Sequence, residues 1–479
     1  MTYDIDGLIG DLGSIPTQRD PALLKQKSRD FYWYSPILKR QLKGVSADLI
    51  VKPQSEDDVL AVLKACYARG IPVTPRGTGT GNYGQAMPLS GGVLLDLSEM
   101  TKIKEIGQGR VVCEPGGKLL ELEREIKARS NQEFRMHPST HRTATVGGFI
   151  AGGSGGVGSI TYGGLRDRGS VIRLKLATME AEPRIIELSG DDIQKANHAY
   201  GTTGVITEVE LPLAPAYDWV DFIIGFDDFP SCAKFGNDFA RQDAMAKKLS
   251  SPISAPLPHD WFAEFREFIP AGKSVCLVMV ADFAVDAFLA FTRAFGRGAS
   301  ILYRSDDDHG GAHFPPVYEL SWNHTTLQGL KVDRSITYLQ VLYPFPNQLE
   351  LVEKCTRHFG DEVIHHLEFV RFNGDITCFG LPIVRFTTEE RLEEIMREHE
   401  ALGCPIFNPH RYTLEEGGMK MTDRVQLAFK READPKGLLN PGKMVAWEDP
   451  NWDFSTPRTY LFPSLSVSDE AEDDLEETA

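Results

Sequence analysis

The sequence has little that would mark it as a disulfide-bonded secreted protein, a zinc protein or a membrane protein. Its seven cysteines are an odd number and include no CxxC pair, which predicts reduced thiols in a cytoplasmic protein. The most apolar window, residues 275–295, is interrupted by charged residues and predicts a strand followed by a helix rather than a membrane span. Asp4 and Asp6 lie where a secretory signal would carry basic and then apolar residues.

Excess positive charge is also missing. The formal net charge is −17, which disfavours nucleic acid and anionic membranes as partners. The histidine pairs His309/His313 and His365/His366 have no carboxylate at recognisable ligand spacing, so no metal site is predicted. With 479 residues, 42% of them apolar, the chain has the composition of a soluble protein and is long enough for two or more domains.

Two glycine-rich stretches stand out, about 60 residues apart. Residues without side chains let backbone N–H groups converge on an anion, so the pair predicts a large phosphate-bearing cofactor held along its length. A single such stretch is more often a turn or a linker. The first stretch consists of Pro75, Arg76, Gly77, Thr78, Gly79, Thr80 and Gly81; the second includes Pro138, Ser139, Thr145, Gly147, Gly148, Gly152, Ser154, Gly155, Gly156, Tyr162 and Gly163.

The residues before the first stretch predict a strand–helix–strand unit. The strands are expected at 47–51 and 71–74, and the helix at 55–69, with Ser55 as its N-cap and Gly70 as its stop signal. No helix begins directly after the glycine loop. The loop is therefore not a Rossmann dinucleotide fingerprint.

Taken in chain order, these segments resemble the vanillyl-alcohol oxidase/p-cresol methylhydroxylase family of flavoproteins. The resemblance also includes Val51-Lys52-Pro53, a closing strand at 204–209 and a return segment at 434–443. It implies FAD as the cofactor and an α+β fold, in which a two-subdomain FAD-binding PCMH-type unit carries an antiparallel-sheet cap domain. It also implies that Ile206 and Asn440 contact the flavin. The first glycine loop is most similar to those of the glycolate/D-lactate oxidase-like members.

The resemblance divides the chain into five parts. The predicted parts are an N-terminal leader at 1–46, the FAD-binding domain at 47–215, the cap or substrate domain at 216–404, a segment at 405–447 that returns to the FAD-binding domain, and an acidic tail at 448–479, expected to be disordered.

The sequence predicts that FAD is held without a covalent bond. Thr80 occupies the position of the histidine that links the flavin in some family members, and residues 142–145 lack the cysteine that others use. A histidyl link from the cap domain stays open. The histidine-rich metal motif of the D-lactate/2-hydroxyglutarate members is also missing, which puts a metal-dependent hydroxy-acid dehydrogenase in doubt.

Four residues are candidates for the chemistry. His324, in the polar and aromatic stretch 319–326, is a candidate base or substrate-binding donor, with a structural histidine as the alternative. The resemblance places His410, Arg411 and Tyr412 near the flavin ring, with His410 as a candidate base and Tyr412 as a further candidate for that role. Arg411 would suit a substrate carboxylate, although an ordinary surface salt bridge is the competing interpretation.

Three functions remain open from the sequence. The leading one is an FAD-dependent oxidase or dehydrogenase that takes a hydride from a CH–OH group of a small organic substrate, such as a hydroxy acid, onto flavin N5, with O2 or another electron acceptor as partner. The alternatives are an NAD(P)H-dependent reductase of a C=C bond and a non-catalytic flavin-binding protein. A homo-oligomer is neither required nor excluded.

Overall fold

The computed structural model describes residues 3–372, 374–417, 422 and 424–453. Most of the predicted acidic tail therefore lies outside the described residues. Within the described ranges, no helix combines the length and the apolar character needed to cross a membrane.

The first half of the chain contains seven helices and ten strands among the described residues. The helices are α1 (Ile5–Leu12), α2 (Pro21–Lys27), α3 (Pro36–Gln41), α4 (Glu56–Arg69), α5 (Leu119–Ser130), α6 (Val146–Gly152) and α7 (Ser159–Tyr162). The strands are β1 (Thr17–Gln18), β2 (Leu49–Val51), β3 (Val73–Arg76), β4 (Val93–Asp96), β5 (Ile103–Gly107), β6 (Arg110–Cys113), β7 (Gln132–Phe134), β8 (Arg173–Ala177), β9 (Ile185–Ser189) and β10 (Val205–Pro215).

The second half alternates helices and strands more regularly. The helices are α8 (Phe229–Ala240), α9 (Leu257–Trp261), α10 (Val285–Phe295), α11 (Asn323–Val332), α12 (Gln348–Phe359), α13 (Glu389–Ala401), α14 (Arg424–Ala433) and α15 (Val445–Glu448). The strands are β11 (Trp219–Phe226), β12 (Lys247–Ile253), β13 (Ser274–Ala281), β14 (Ser300–Arg304), β15 (Ile336–Tyr338), β16 (Gln340–Tyr343), β17 (Val363–Ile364), β18 (Leu367–Phe372), β19 (Asp375–Gly380), β20 (Ile383–Arg385) and β21 (Ile406–Phe407).

The strand–helix–strand unit predicted before the first glycine loop is confirmed. Strands β2, β4 and β3 are parallel neighbours in a four-stranded sheet, and α4 connects β2 to β3. The Ser55 hydroxyl accepts the Asp58 N–H at the start of α4, and Gly70 ends the helix in the left-handed region with φ +63°. Because β3 ends at Arg76, this sheet directly fixes the start of the glycine loop.

A second, six-stranded antiparallel sheet completes the first half of the molecule. Its order is β5-β6-β10-β8-β9, and β7 also pairs with β10. The long strand β10 contains the closing strand expected at 204–209 and carries Ile206. The two sheets are the two subdomains that the sequence predicts.

The remaining strands form three antiparallel sheets, with the orders β12-β13-β11-β14, β15-β20-β17 and β18-β19-β16-β21. Side chains of α8, α10, α12 and α13 share one apolar core with these sheets. The predicted α+β fold is thereby confirmed. The exact domain boundaries stay predictions; β21, just beyond the predicted boundary at 404, pairs with β16.

The C-terminal segment returns to the first sheet, and a buried ion pair fixes its turn. The Leu438 carbonyl accepts the Val73 N–H at 2.8 Å, and the Asn440 N–H donates back to the Val73 carbonyl at 2.8 Å. Lys430 Nζ donates to Asp434 at 2.6 Å and to the Thr202 carbonyl at 2.8 Å. The two side chains of this ion pair are 2% and 0% exposed, so losing one partner would strand the other charge in the core.

We expect Asp434→Ala to lower the free energy of unfolding by roughly 3–5 kcal/mol, because it leaves the Lys430 ammonium buried and unpaired. Asp238→Ala is the matched control. Lys234 and Asp238 form another i,i+4 Lys–Asp pair at 2.6 Å, but their side chains are 39% and 30% exposed. The control should change stability by less than about 1 kcal/mol. Equal effects of the two substitutions in denaturant titrations would contradict the role of the buried pair.

Candidate active site

A cavity of about 450 Å³ lies where the two glycine stretches face the cap sheets. Both stretches contribute to its wall, although they are far apart in sequence. The predicted site residues on the wall are Pro75, Arg76, Gly77, Thr78, Gly79, Thr80, Gly81, Pro138, Ser139, Thr145, Gly147, Gly148, Gly152, Ser154, Gly155, Ile206 and His324.

The glycines allow the two stretches to touch. A Cβ on Gly77 would overlap the Thr145 hydroxyl, and a Cβ on Gly147 would lie 2.5 Å from Pro115 Cβ. Thr145 is the N-cap of α6, and its Oγ1 accepts the Gly148 N–H at 3.3 Å. Thr78 Oγ1 also donates to the Thr143 carbonyl at 2.6 Å, so the stretches are hydrogen-bonded as well as packed.

Arg76 gives the first loop a buried positive charge. Its guanidinium lies beneath Gly79, where an added Cβ would overlap it, and Gly79 itself has φ +70°. One nitrogen donates to the Thr78 carbonyl at 2.9 Å. The buried Nε and Nη1 have no hydrogen-bond partner among the described residues. A buried guanidinium with unused donors, packed beneath a glycine loop that lines the cavity, fits a phosphate-bearing group.

Other polar atoms on the wall also lack partners within the described part of the chain. They include the Tyr83 hydroxyl, His198 Nε2, Trp322 Nε1 and Asn323 Oδ1. Burial lowers the pKa of His198 to about 3, and the positive charge of Arg166 acts in the same direction, so the imidazole is neutral. Buried polar atoms are rarely left unpaired, and these therefore fit a ligand with several hydrogen-bonding groups.

His324, at the start of α11, pairs with the carboxylate of Glu319. Its Nδ1 lies 3.1 Å from Glu319 Oε2, and Arg142 Nε lies 2.9 Å from Glu319 Oε1. All three residues line the cavity. Burial acts to raise the pKa of Glu319, but the hydrogen bond from His324 and the charge of Arg142 hold it below its ordinary value. Glu319 is thus an ionised carboxylate that orients the imidazole.

The other predicted catalytic residues do not lie on the cavity wall. His410 is 1% exposed; its Nδ1 lies 2.7 Å from Ser35 Oγ and its Nε2 lies 3.0 Å from the Tyr338 carbonyl. Burial lowers the pKa of His410 to about 3. Arg411 reaches Glu393 at 3.3 Å, and Lys443 lies over the Tyr412 ring. The structure therefore does not bring these three side chains to the wall, and their catalytic roles stay predictions.

Four predicted cofactor residues do not line the cavity. Asn440 Nδ2 donates to the carbonyls of Gln85 and Tyr200, both at 2.8 Å, and these two residues line the cavity. The other three are Gly156, Tyr162 and Gly163, which belong to the second stretch but do not line the cavity. Their direct contact with the cofactor stays a prediction.

Some residues that line the cavity were not predicted from the sequence. Glu319 lies five residues before His324, and a carboxylate near a histidine could have suggested the pair. Phe31 and Tyr34 come from the N-terminal segment, while Phe372, Phe379 and Phe407 come from the cap strands. Alternation along a strand shows which residues share a face, but it does not show which face is open. Within the described ranges, no cluster of three or more His, Cys, Asp or Glu side chains is arranged to hold a metal ion.

Comparison with known proteins identifies the class. Residues 47–184 match the model of an FAD binding domain. A D-lactate dehydrogenase of Archaeoglobus fulgidus is 34% identical over 83% of this chain and 91% of its own length. The glycolate oxidase subunit GlcD of Escherichia coli is 29% identical over 83% of both chains. The solved structure of an alkyldihydroxyacetonephosphate synthase matches the fold with a TM-score of 0.69 over 92% of this chain and 85% of the other, at 16% identity.

The fold and the wall therefore define an FAD-dependent oxidoreductase. The chain belongs to the FAD-binding PCMH-type flavoprotein family, as the extent of its match to the Archaeoglobus protein shows. The residues around the cavity fit FAD on structural grounds as well, since the glycine loops and the unused donors of Arg76 suit its diphosphate. That the flavin is held without a covalent bond stays a prediction.

Gly79→Asp should abolish FAD binding in a protein that remains folded. The new side chain would meet the Arg76 guanidinium, place a carboxylate on the loop that would hold the diphosphate and strain a positive-φ backbone. Gly109→Asp is the matched control, because Gly109 has φ +74° and open space around its Cβ position. Flavin absorbance per protein should be normal in the control and near zero in Gly79→Asp. Normal flavin content in both variants would contradict the cofactor assignment.

Proposed function

We propose that the protein oxidises the CH–OH group of a small 2-hydroxy acid with FAD as the hydride acceptor. The observation that carries this proposal is the His324–Glu319 pair on the wall of the same cavity as the two glycine loops. The names of the Archaeoglobus and Escherichia relatives, a D-lactate dehydrogenase and a glycolate oxidase subunit, support a hydroxy acid as the substrate class.

The pair suits the removal of a proton from a hydroxyl group. With Glu319 ionised, the proton of a neutral imidazole is held on Nδ1, which leaves the Nε2 lone pair to act as the base. His324 would take the hydroxyl proton while the C–H bond loses its hydride, and the product is a 2-oxo acid. FAD bound in the cavity supplies the two-electron acceptor for that hydride.

A substrate carboxylate needs a cation on the same wall. Arg142 lies beside Glu319, and its Nε makes the ion pair described above, which leaves the Nη groups for a bidentate contact with a carboxylate. Its side chain is 59% exposed, so it can meet a ligand that enters from solvent. We therefore propose Arg142 for the role that the sequence suggested for Arg411.

The cellular location and the electron acceptor stay predictions. A cytoplasmic location rests on the unpaired cysteines; all seven are buried and free in the structure. The acceptor that reoxidises the flavin, O2 or another molecule, stays open. Reduction of a C=C bond with NAD(P)H is the competing function, and anaerobic mixing with NADPH tests it directly. Rapid bleaching of the flavin by NADPH, with no bleaching by any 2-hydroxy acid, would overturn the proposal.

His324→Ala should slow anaerobic flavin reduction by a 2-hydroxy acid about 10²–10⁴-fold while FAD stays bound, because the positioned base is lost. The measurement is stopped-flow absorbance of the bound flavin. His358→Ala is the matched control, since His358 also pairs with a glutamate, Glu398 at 2.8 Å, but lies outside the cavity wall. The control should reduce at the wild-type rate.

His410→Ala separates the two candidate bases. Because His410 is buried between Ser35 and Tyr338, we expect His410→Ala to reduce the stability of the protein and to leave the rate of flavin reduction nearly normal. A reduction rate that collapses in His410→Ala and persists in His324→Ala would move the base to His410.

A further inference from the structure

The cap sheet β18-β19-β16-β21 has two faces with different surroundings. Side chains alternate along each strand, and paired residues on neighbouring strands share a face. Phe369, Cys378 and Tyr343 belong to one face and are buried in the large core formed with the cap helices. This face is fully used by the fold.

The opposite face forms a separate apolar cluster. It consists of Leu342 and Phe407 with Phe372 and Phe379 packed against them. The ring centroids of Phe372 and Phe379 are 5.9 Å apart, as are those of Phe379 and Phe407. The three phenylalanines and Val370 all line the cavity. The cavity therefore has a continuous aromatic wall on its cap side.

The charged residues near this wall already have hydrogen-bond partners within the protein. Glu368 is 1% exposed and accepts hydrogen bonds from Ser251 Oγ and the Trp322 N–H. Arg371 donates to Asp243 at 2.6 Å and to the Gly374 carbonyl at 3.1 Å. Of the lining residues on the aromatic face, Gln340 is the polar one. The wall is thus suited to an apolar group and offers little to a second carboxylate.

We propose that the preferred substrates are 2-hydroxy acids with an apolar side chain of several carbons, aromatic or branched, rather than glycolate or lactate. This inference rests on the function proposed above and names the substrate class for that site. The carboxylate and the hydroxyl lie toward Arg142 and His324, and the side chain packs on Phe372, Phe379 and Phe407. Glycolate has no side chain and lactate has one methyl group, so neither would gain the apolar contact with Phe379 and Phe407 that a larger side chain makes.

Binding of unreactive analogues tests the wall without catalysis. Hydrocinnamate and propionate differ by a phenyl group, and each can be titrated into oxidised holoprotein while the flavin absorbance is followed. Hydrocinnamate should bind about tenfold tighter or more, since a few extra carbons in an apolar pocket give discrimination of this order. Phe379→Ala should reduce that preference about tenfold and retain FAD. Phe345→Ala, an exposed phenylalanine that does not line the cavity, should keep the preference.

The second measurement compares the rates at which phenyllactate, lactate and glycolate reduce the flavin. We expect kcat/KM for phenyllactate to exceed that for lactate about tenfold or more. Equal analogue binding, or a higher kcat/KM for glycolate or lactate, would overturn the inference and leave the proposed function intact. Loss of FAD in Phe379→Ala would also overturn it, because the wall would then cover the cofactor. If no 2-hydroxy acid reduces the flavin, the proposed function fails, and so does the substrate class.

Discussion

The close contact between the two glycine stretches is the constraint on which the rest of the site depends. Gly77 touches Thr145, and Gly79 lies on the Arg76 guanidinium, at positions where any side chain would overlap. This contact brings a loop after the parallel sheet against the first turn of α6. It thereby forms the part of the cavity wall, with the buried Arg76 guanidinium beneath it, that would hold the diphosphate of FAD. The cap domain contributes the proposed base, His324, and the apolar wall on the other side of the cavity.

A second set of interactions holds this part of the wall in place from the C-terminal side. The backbone of Val73, two residues before the first glycine stretch, exchanges hydrogen bonds with Leu438 and Asn440. The buried Lys430–Asp434 pair fixes the turn that carries them. Asn440 then reaches the carbonyls of Gln85 and Tyr200 on the cavity wall. A segment distant in sequence therefore stabilises the loop geometry.

Local signals predicted the parts of the structure that local interactions decide. The cap of α4 at Ser55, its stop at Gly70 and the two glycine stretches follow from short-range geometry, and the structure has them where the sequence placed them. Which of the candidate catalytic residues reach the cavity depends on contacts between distant segments. In the sequence, His410 and His324 were both candidate bases because both are histidines. In the structure, Ser35 and Tyr338 bury His410. The open face of the cap sheet likewise depends on which side the helices cover.

A crystal structure of the holoprotein with hydrocinnamate bound tests the single shared cavity most directly. We expect the diphosphate of FAD on the glycine loops beside Arg76, with the analogue's carboxylate at Arg142. Its phenyl ring would contact Phe379, and His324 would lie beside the carbon next to the carboxylate. A diphosphate held away from Arg76, or an analogue bound out of reach of His324, would contradict the single shared cavity on which the proposed chemistry rests.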